Sequence, residues 1–204
     1  MTRPGPVVLA VGLLVTLLVT AVVIGDLTSR TSIILNTGSG GGVMPTATPE
    51  TTRGSQPVPV LDPALLSILP ASVSGIPVAA EPGSFADAVA DPAFVANVAS
   101  AAFATVVDGN DLASGVVANL RPGVYSDGFF RDWRDTYDAG ACASSGGVAG
   151  NAQASLGGRI VYISNCSGAL LVYHVWLPER GVLISLFSVG SRRFGEQVMA
   201  GLRP

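Results

Sequence analysis

Three regimes of hydrophobic patterning divide the chain. The first is an uncharged apolar run from Val7 to Ile24 with Arg3 just ahead of it. As a helix rising 1.5 Å per residue it would be about 27 Å long, close to the thickness of a bilayer's hydrocarbon core. The pattern predicts a transmembrane signal-anchor over residues 1–26. A cleaved signal peptide is the competing fate, but it calls for a shorter apolar core and an A-x-A-like site, which Val23 and Gly25 fit poorly. No cysteine follows the run, so a lipid-anchor site is excluded. Arg3 and the amino terminus precede the run, while Asp26 and Arg30 after it cancel, which places the N-terminus in the cytoplasm and the body outside. Gly12, Thr16 and Thr20 share one helix face, and small residues at that spacing let two membrane helices approach closely; they are also ordinary residues of membrane helices.

The second regime, residues 27–60, has no hydrophobic period. Gly38–Gly42 is flexible, and Pro45, Pro49, Pro57 and Pro59 stiffen the second half. This composition buries too little apolar area to offset ordering entropy, so a disordered Gly/Pro/Thr-rich linker is expected.

The third regime, residues 61–204, is periodic and long enough for one core. Asp62-Pro63 opens a short helix ended by Pro70, and Ser84 caps a turn through Val89. Asp91-Pro92 starts what reads as a longer helix to about Val107, apolar on nearly every side. Leu112–Leu120 reads as extended, interrupted at Ser114-Gly115. Ser126 caps a helix from Asp127 to about Ala139 with Phe130, Trp133 and Tyr137 as its buried stripe. On its other side Arg131 with Asp135, and Arg134 with Asp138, form i, i+4 pairs. Alternation then marks four strands, Val148–Leu156, Arg159–Cys166, Ala169–Leu177 and Val182–Val189, joined by short turns. Ser191 caps a closing helix with Phe194, Val198 and Leu202 inside. The predicted fold is α+β, a four- to five-stranded mostly antiparallel sheet ending in a meander and packed by helices.

Composition sharpens the address. All 11 basic residues are arginine, and the Ala, Val and Gly content matches the coding bias of a GC-rich bacterium. No basic cluster exists to neutralise phosphates, which argues against a nucleic-acid partner. The two cysteines, Cys142 and Cys166, fall in the outer domain, where an even pair reads as a disulfide. With a single histidine and no C-x-x-C, a metal site is not expected, and no cofactor motif is present.

The candidate chemistry is sparse. His174 alternates with Val172 and Trp176 on one strand face. No Gly-x-Ser-x-Gly elbow and no metal-spaced His-Glu pair accompanies it, so a core histidine satisfied by a neighbour is the plainer reading. Ser191, Arg192 and Arg193 read as either an anion or partner contact at a helix start or arginines paired with acids of the same domain. Arg131, Trp133, Arg134 and Tyr137 combine aromatics with charge as recognition surfaces do, although helical spacing alone also explains them.

These features describe a single-pass, membrane-tethered extracytoplasmic domain of a bacterial envelope protein, held through residues 7–24. Its expected role is that of a non-catalytic binding or interaction module whose partner is another envelope protein, itself, a lipid or a small ligand. Two alternatives remain: a hydrolase using His174 with a serine and an aspartate brought together by the fold, and a structural spacer. The hydrolase requires His174 to lie in a cleft beside both partners.

Overall fold

Two long antiparallel strands, β5 (Val98–Asp108) and β6 (Asp111–Leu120), form the spine of the domain. The computed structural model describes residues 57–203. The signal-anchor at 7–24, the Gly12, Thr16 and Thr20 face and the linker through residue 56 lie outside the described residues, among which no helix is long and apolar enough to cross a membrane.

The protein is α+β, with a large, mostly antiparallel sheet. The four expected C-terminal strands are all present as β7 (Val148–Leu156), β8 (Arg159–Cys166), β9 (Leu171–Leu177) and β10 (Val182–Val189). They do not form a separate unit. β10 pairs with β6, so the sheet runs β1-β5-β6-β10-β9-β8-β7, where β1 is Val60–Leu61. β1 pairs in parallel with the start of β5, and β4 (Ala79–Ala80) pairs antiparallel with its far half, making eight strands. A small hairpin of β2 (Ser72–Val73) and β3 (Ile76–Pro77) stands apart.

The sheet is larger than expected because one predicted helix is mostly strand. The Asp91-Pro92 signal holds: the Asp91 carboxylate accepts the Ala93 N–H at 2.8 Å. However, this helix, Pro92–Asn97, ends where Val98 turns extended (φ −103°, ψ 133°). A run that is apolar on all sides suits a strand covered on both faces as well as a buried helix, and the β-branched residues Val98, Thr105, Val106 and Val107 favour the strand. The expected break at Ser114-Gly115 is absent, since β6 is continuous. Gly115 is there because a Cβ would come 2.2 Å from the Ser185 carbonyl oxygen on β10.

The helices, in chain order, are α1 (Gly83–Ala88), α2 (Pro92–Asn97), α3 (Asp127–Cys142) and α4 (Phe194–Ala200). Asp62 caps a six-residue 3-10 turn, Pro63–Ile68. Ser84 does not cap α1; the Glu81 carboxylate instead accepts the N–H groups of Gly83 and Ser84 at 3.2 and 3.1 Å. Ser126 caps α3, accepting the Phe129 N–H at 3.0 Å. Ser191 does not cap α4, because Arg193 holds that position in the left-handed region (φ 53°) with no side-chain cap.

Alternation along the strands feeds two cores. Tyr173, Val175 and Leu177 of β9 join Ile184 and Leu186 of β10 under α4 and the 3-10 turn, with Phe194, Val198 and Leu202 as the expected inner stripe. On the other face Val116, Ala118 and Leu183 lie under α2 and α3, with Phe94, Phe130 and Trp133 packed on them. The Cys142–Cys166 disulfide joins the last residue of α3 to the last residue of β8, with Cα atoms 5.1 Å apart and both cysteines buried. The sheet is thus sandwiched, and α3 is locked to it at one end.

Candidate functional site

The stripe of α3 sets Trp133, Tyr137 and Asp138 against the sheet, where Ser164, His174 and Ser185 come from β8, β9 and β10. Register makes the juxtaposition: Tyr162 of β8 faces His174, and Ser185 faces the same His174 from β10. His174 is fully buried. Its Nδ1 lies 2.8 Å from Ser185 Oγ, and its Nε2 lies 2.9 Å from Asp138 Oδ1. The Trp133 indole N–H donates to Ser185 Oγ at 2.9 Å. With its oxygen accepting from the indole, the Ser185 hydroxyl donates to Nδ1; the ring therefore carries its proton on Nε2 and donates it to Asp138. The Ser164 hydroxyl donates to the other Asp138 oxygen, and the Asn151 side-chain amide stands 2.7 Å from Ser164 Oγ. One hydroxyl proton cannot serve two acceptors, so the amide presents its NH₂ group to Ser164.

Burial lowers the pKa of His174 below the usual imidazole value, outweighing the hydrogen bond and charge of Asp138, which raise it. The ring is neutral at neutral pH, consistent with that tautomer. Tyr137 packs edge-on against it at 5.4 Å, and burial raises its phenol pKa far above the ordinary value.

A serine, a histidine and an aspartate in hydrogen-bond contact invite comparison with acyl-transfer chemistry. The distances fit, but the setting does not. Ser185 is fully buried beneath the Trp133 indole, so no substrate carbonyl reaches its Oγ. It sits mid-strand with ladders on both edges, which commits the nearby amides to the sheet and leaves no donor pair for an oxyanion. What the arrangement does is satisfy four buried polar side chains, Asp138, Ser164, His174 and Ser185, and fix α3 in one position on the sheet.

Neither i, i+4 charge pair expected on α3 is among the ion pairs of the described residues. Asp138 is buried in the relay instead of meeting Arg134 at the surface, because positions 130, 134, 137, 138 and 141 lie on one helix side. Arg134 turns along the sheet, its guanidinium 4.1 Å from the Tyr162 ring centre and 5.1 Å from that of Phe130. Its Nε is buried and has no hydrogen-bond acceptor among the described residues. It lines an open groove of about 660 Å³ between the N-terminal half of α3 and the ends of β7, β8 and β9. Trp176 and Tyr125 stack there in parallel, centroids 4.1 Å apart, beside Tyr162, Ile160 and Gln153.

The expected recognition set therefore divides. Trp133 and Tyr137 point inward to Ser185, Arg131 is exposed, and Arg134 lines the groove. Ser191, Arg192 and Arg193 precede α4 instead of forming its first turn. Arg192 pairs with Asp108, and its N–H donates to Asp111 at 2.7 Å; Arg193 pairs with Glu196. Both guanidiniums meet acids of the same domain.

Sequence patterning did not single out Asp138, Ser164, Ser185, Tyr125, Tyr162 and Trp176 as site residues. Two of them carry a visible signal: a carboxylate on the apolar side of α3, and a serine within the apolar strand Val182–Phe187. Buried polar residues need partners, and partners imply a network. No family model, curated protein or solved structure matches this chain.

Proposed function

We propose that the chain is a membrane-tethered extracytoplasmic binding module, non-catalytic, whose ligand or partner occupies the groove between α3 and the β7–β9 end of the sheet. The observation that carries this reading is a contrast between two polar clusters. The Ser185–His174–Asp138 set is closed and self-satisfied, whereas the groove is open, aromatic and lined by Arg134, which forms no ion pair among the described residues. Its volume falls within the range of about 300–1,000 Å³ typical of small-ligand sites. The membrane address is supported by the apolar run at 7–24 and by the disulfide, a bond that persists in oxidising compartments. A pure spacer would have no use for such a groove.

The test is a photo-crosslinking residue placed at Gln153 in the full chain in its native membranes, with the exposed Ala86 on α1 as the control position. A discrete adduct from position 153 that is absent from position 86 is expected. Adducts of the same pattern from both positions, or none from 153, would overturn the reading.

A further inference from the structure

The groove also carries information about what it takes, an inference that rests on the proposed binding function. Its charged lining is balanced: Arg134 and Arg159 against Asp127 and Glu179. The two cations are not equivalent. Arg159 Nη1 already donates to the Leu202 carbonyl at 3.1 Å and to the Gly157 carbonyl at 3.4 Å. Arg134 forms no ion pair among the described residues. Its guanidinium carbon lies 4.1 Å from the Tyr162 ring centre and 5.1 Å from that of Phe130, contacts that hold the cation in place but give its N–H groups no oxygen acceptor. A planar cation held this way presents a fork that matches a carboxylate. The same groove holds two carboxylates of its own, so a dianion would be repelled where a monoanion is tolerated.

The apolar part of the lining is built largely from aromatic rings. Trp176 and Tyr125 stack face to face (9° between planes), so each covers one face of the other and the pair offers an outer ring face, with Ile160 57% exposed beside it. Such a surface covers a ring, whether an aromatic one or the C–H face of a sugar.

We propose that this groove binds a monoanionic organic carboxylate borne on a flat ring. Arg134 takes the carboxylate, and Trp176, Tyr125 and Ile160 cover the ring.

The experiment uses the full chain in detergent micelles and ligand-observed NMR with two carboxylate probes and their controls. Glucuronate is compared with glucose and with glucose 6-phosphate, and benzoate with benzyl alcohol. At least one carboxylate is expected to bind about tenfold more tightly than its uncharged counterpart, a ratio that one charge-assisted hydrogen bond supplies. The pair that shows this preference tells a sugar ring from an aromatic one. Arg134→Gln should abolish the preference. Because Arg134 packs on two rings, a second variant, Ile160→Asp, tests the same point from an exposed position by adding a negative charge to the floor; it should also abolish the preference. Failure of both carboxylates, tighter binding of the phosphate, or a preference that survives both substitutions would overturn the proposal. If the carboxylates fail while position 153 still crosslinks in membranes, the ligand class is wrong and the groove reading stands. If both fail, the binding-module reading falls as well.

Discussion

His174 on β9 and Asp138 on α3 meet at 2.9 Å across the interface between the sheet and its longest helix, 36 residues apart in sequence and both buried. The contact decides how α3 sits. A helix could slide along an apolar sheet at little cost, but a buried carboxylate shifted by one turn would lose its imidazole and hydroxyl partners together.

The contact also makes stability depend on pH. Burial holds His174 below its ordinary pKa of 6.5, so the unfolded chain binds a proton that the folded chain refuses. The stability gained from a neutral ring is complete above about pH 6.5 and is lost as the pH falls through the folded-state value. Urea unfolding between pH 7.5 and 5 should show a decline of up to about 1.4 kcal/mol per pH unit from this one group. His174→Gln should flatten that slope. An equal slope in the variant would show that other groups cause it.

Trp133 tests the same interface through packing. Its indole contacts the Phe94 and Phe129 rings, with centroids 6.3 and 5.9 Å away, and its N–H is spent on Ser185. Trp133 is half-buried, so replacement by alanine should cost about 3 kcal/mol, the low end for a large aromatic removed from a core. Trp133→Phe retains most of the packing and should cost about 1–2 kcal/mol for the lost donor. Denaturant midpoints of the two variants separate the contributions. A near-zero effect of the alanine change would mean that the indole faces solvent.

The disulfide closes a loop across a separation of 24 residues and fastens the end of α3 to β8. In the chain-entropy view, its loss should lower stability by about 3 kcal/mol. The double variant Cys142→Ala, Cys166→Ala, compared with the parent by urea titration, measures this. Since Cys142 and Cys166 share a buried cluster with Leu170 and Val172, the variant should still fold, with α3 fraying from its C-terminal end.

How far the fold is legible in the residues depends on whether the signal is local. Capping pairs such as Asp91-Pro92 and Ser126, the turn at Gly157-Gly158 and the Phe130, Trp133 and Tyr137 stripe are local, and all appear in the structure. The 98–107 segment reads as helix because a strand covered on both faces loses its period of two, leaving nothing to distinguish it from a buried helix. The strand order, with β10 carried over to β6, is a matter of long-range pairing and is invisible in the sequence. So is the relay: Ser185 and His174 meet only through cross-strand register, and Asp138 reaches them only once α3 has a fixed rotation. Arg134 stands out as part of a mixed aromatic and charged stretch, but that it lies on Tyr162 follows from β8 passing beneath it.

Ser185 provides the clearest separation between the binding module and the hydrolase. A catalytic serine beside an imidazole is phosphonylated by fluorophosphonate probes, with fluoride leaving, because its Oγ is open and the charge developing on the phosphoryl oxygen is stabilised. Here Oγ is covered by an indole, and the adjacent amides belong to the sheet. The native chain should therefore show no fluorophosphonate adduct at Ser185 by peptide mass spectrometry after prolonged exposure at neutral pH. Ser185→Ala should instead lower stability by about 1–3 kcal/mol, since the Trp133 indole N–H and His174 Nδ1 would each lose a partner in a site closed to water. Stoichiometric labelling of the folded chain, removed by that same substitution, would show that Trp133 lifts from Ser185 in solution, and the relay would then have to be reassigned as an active site.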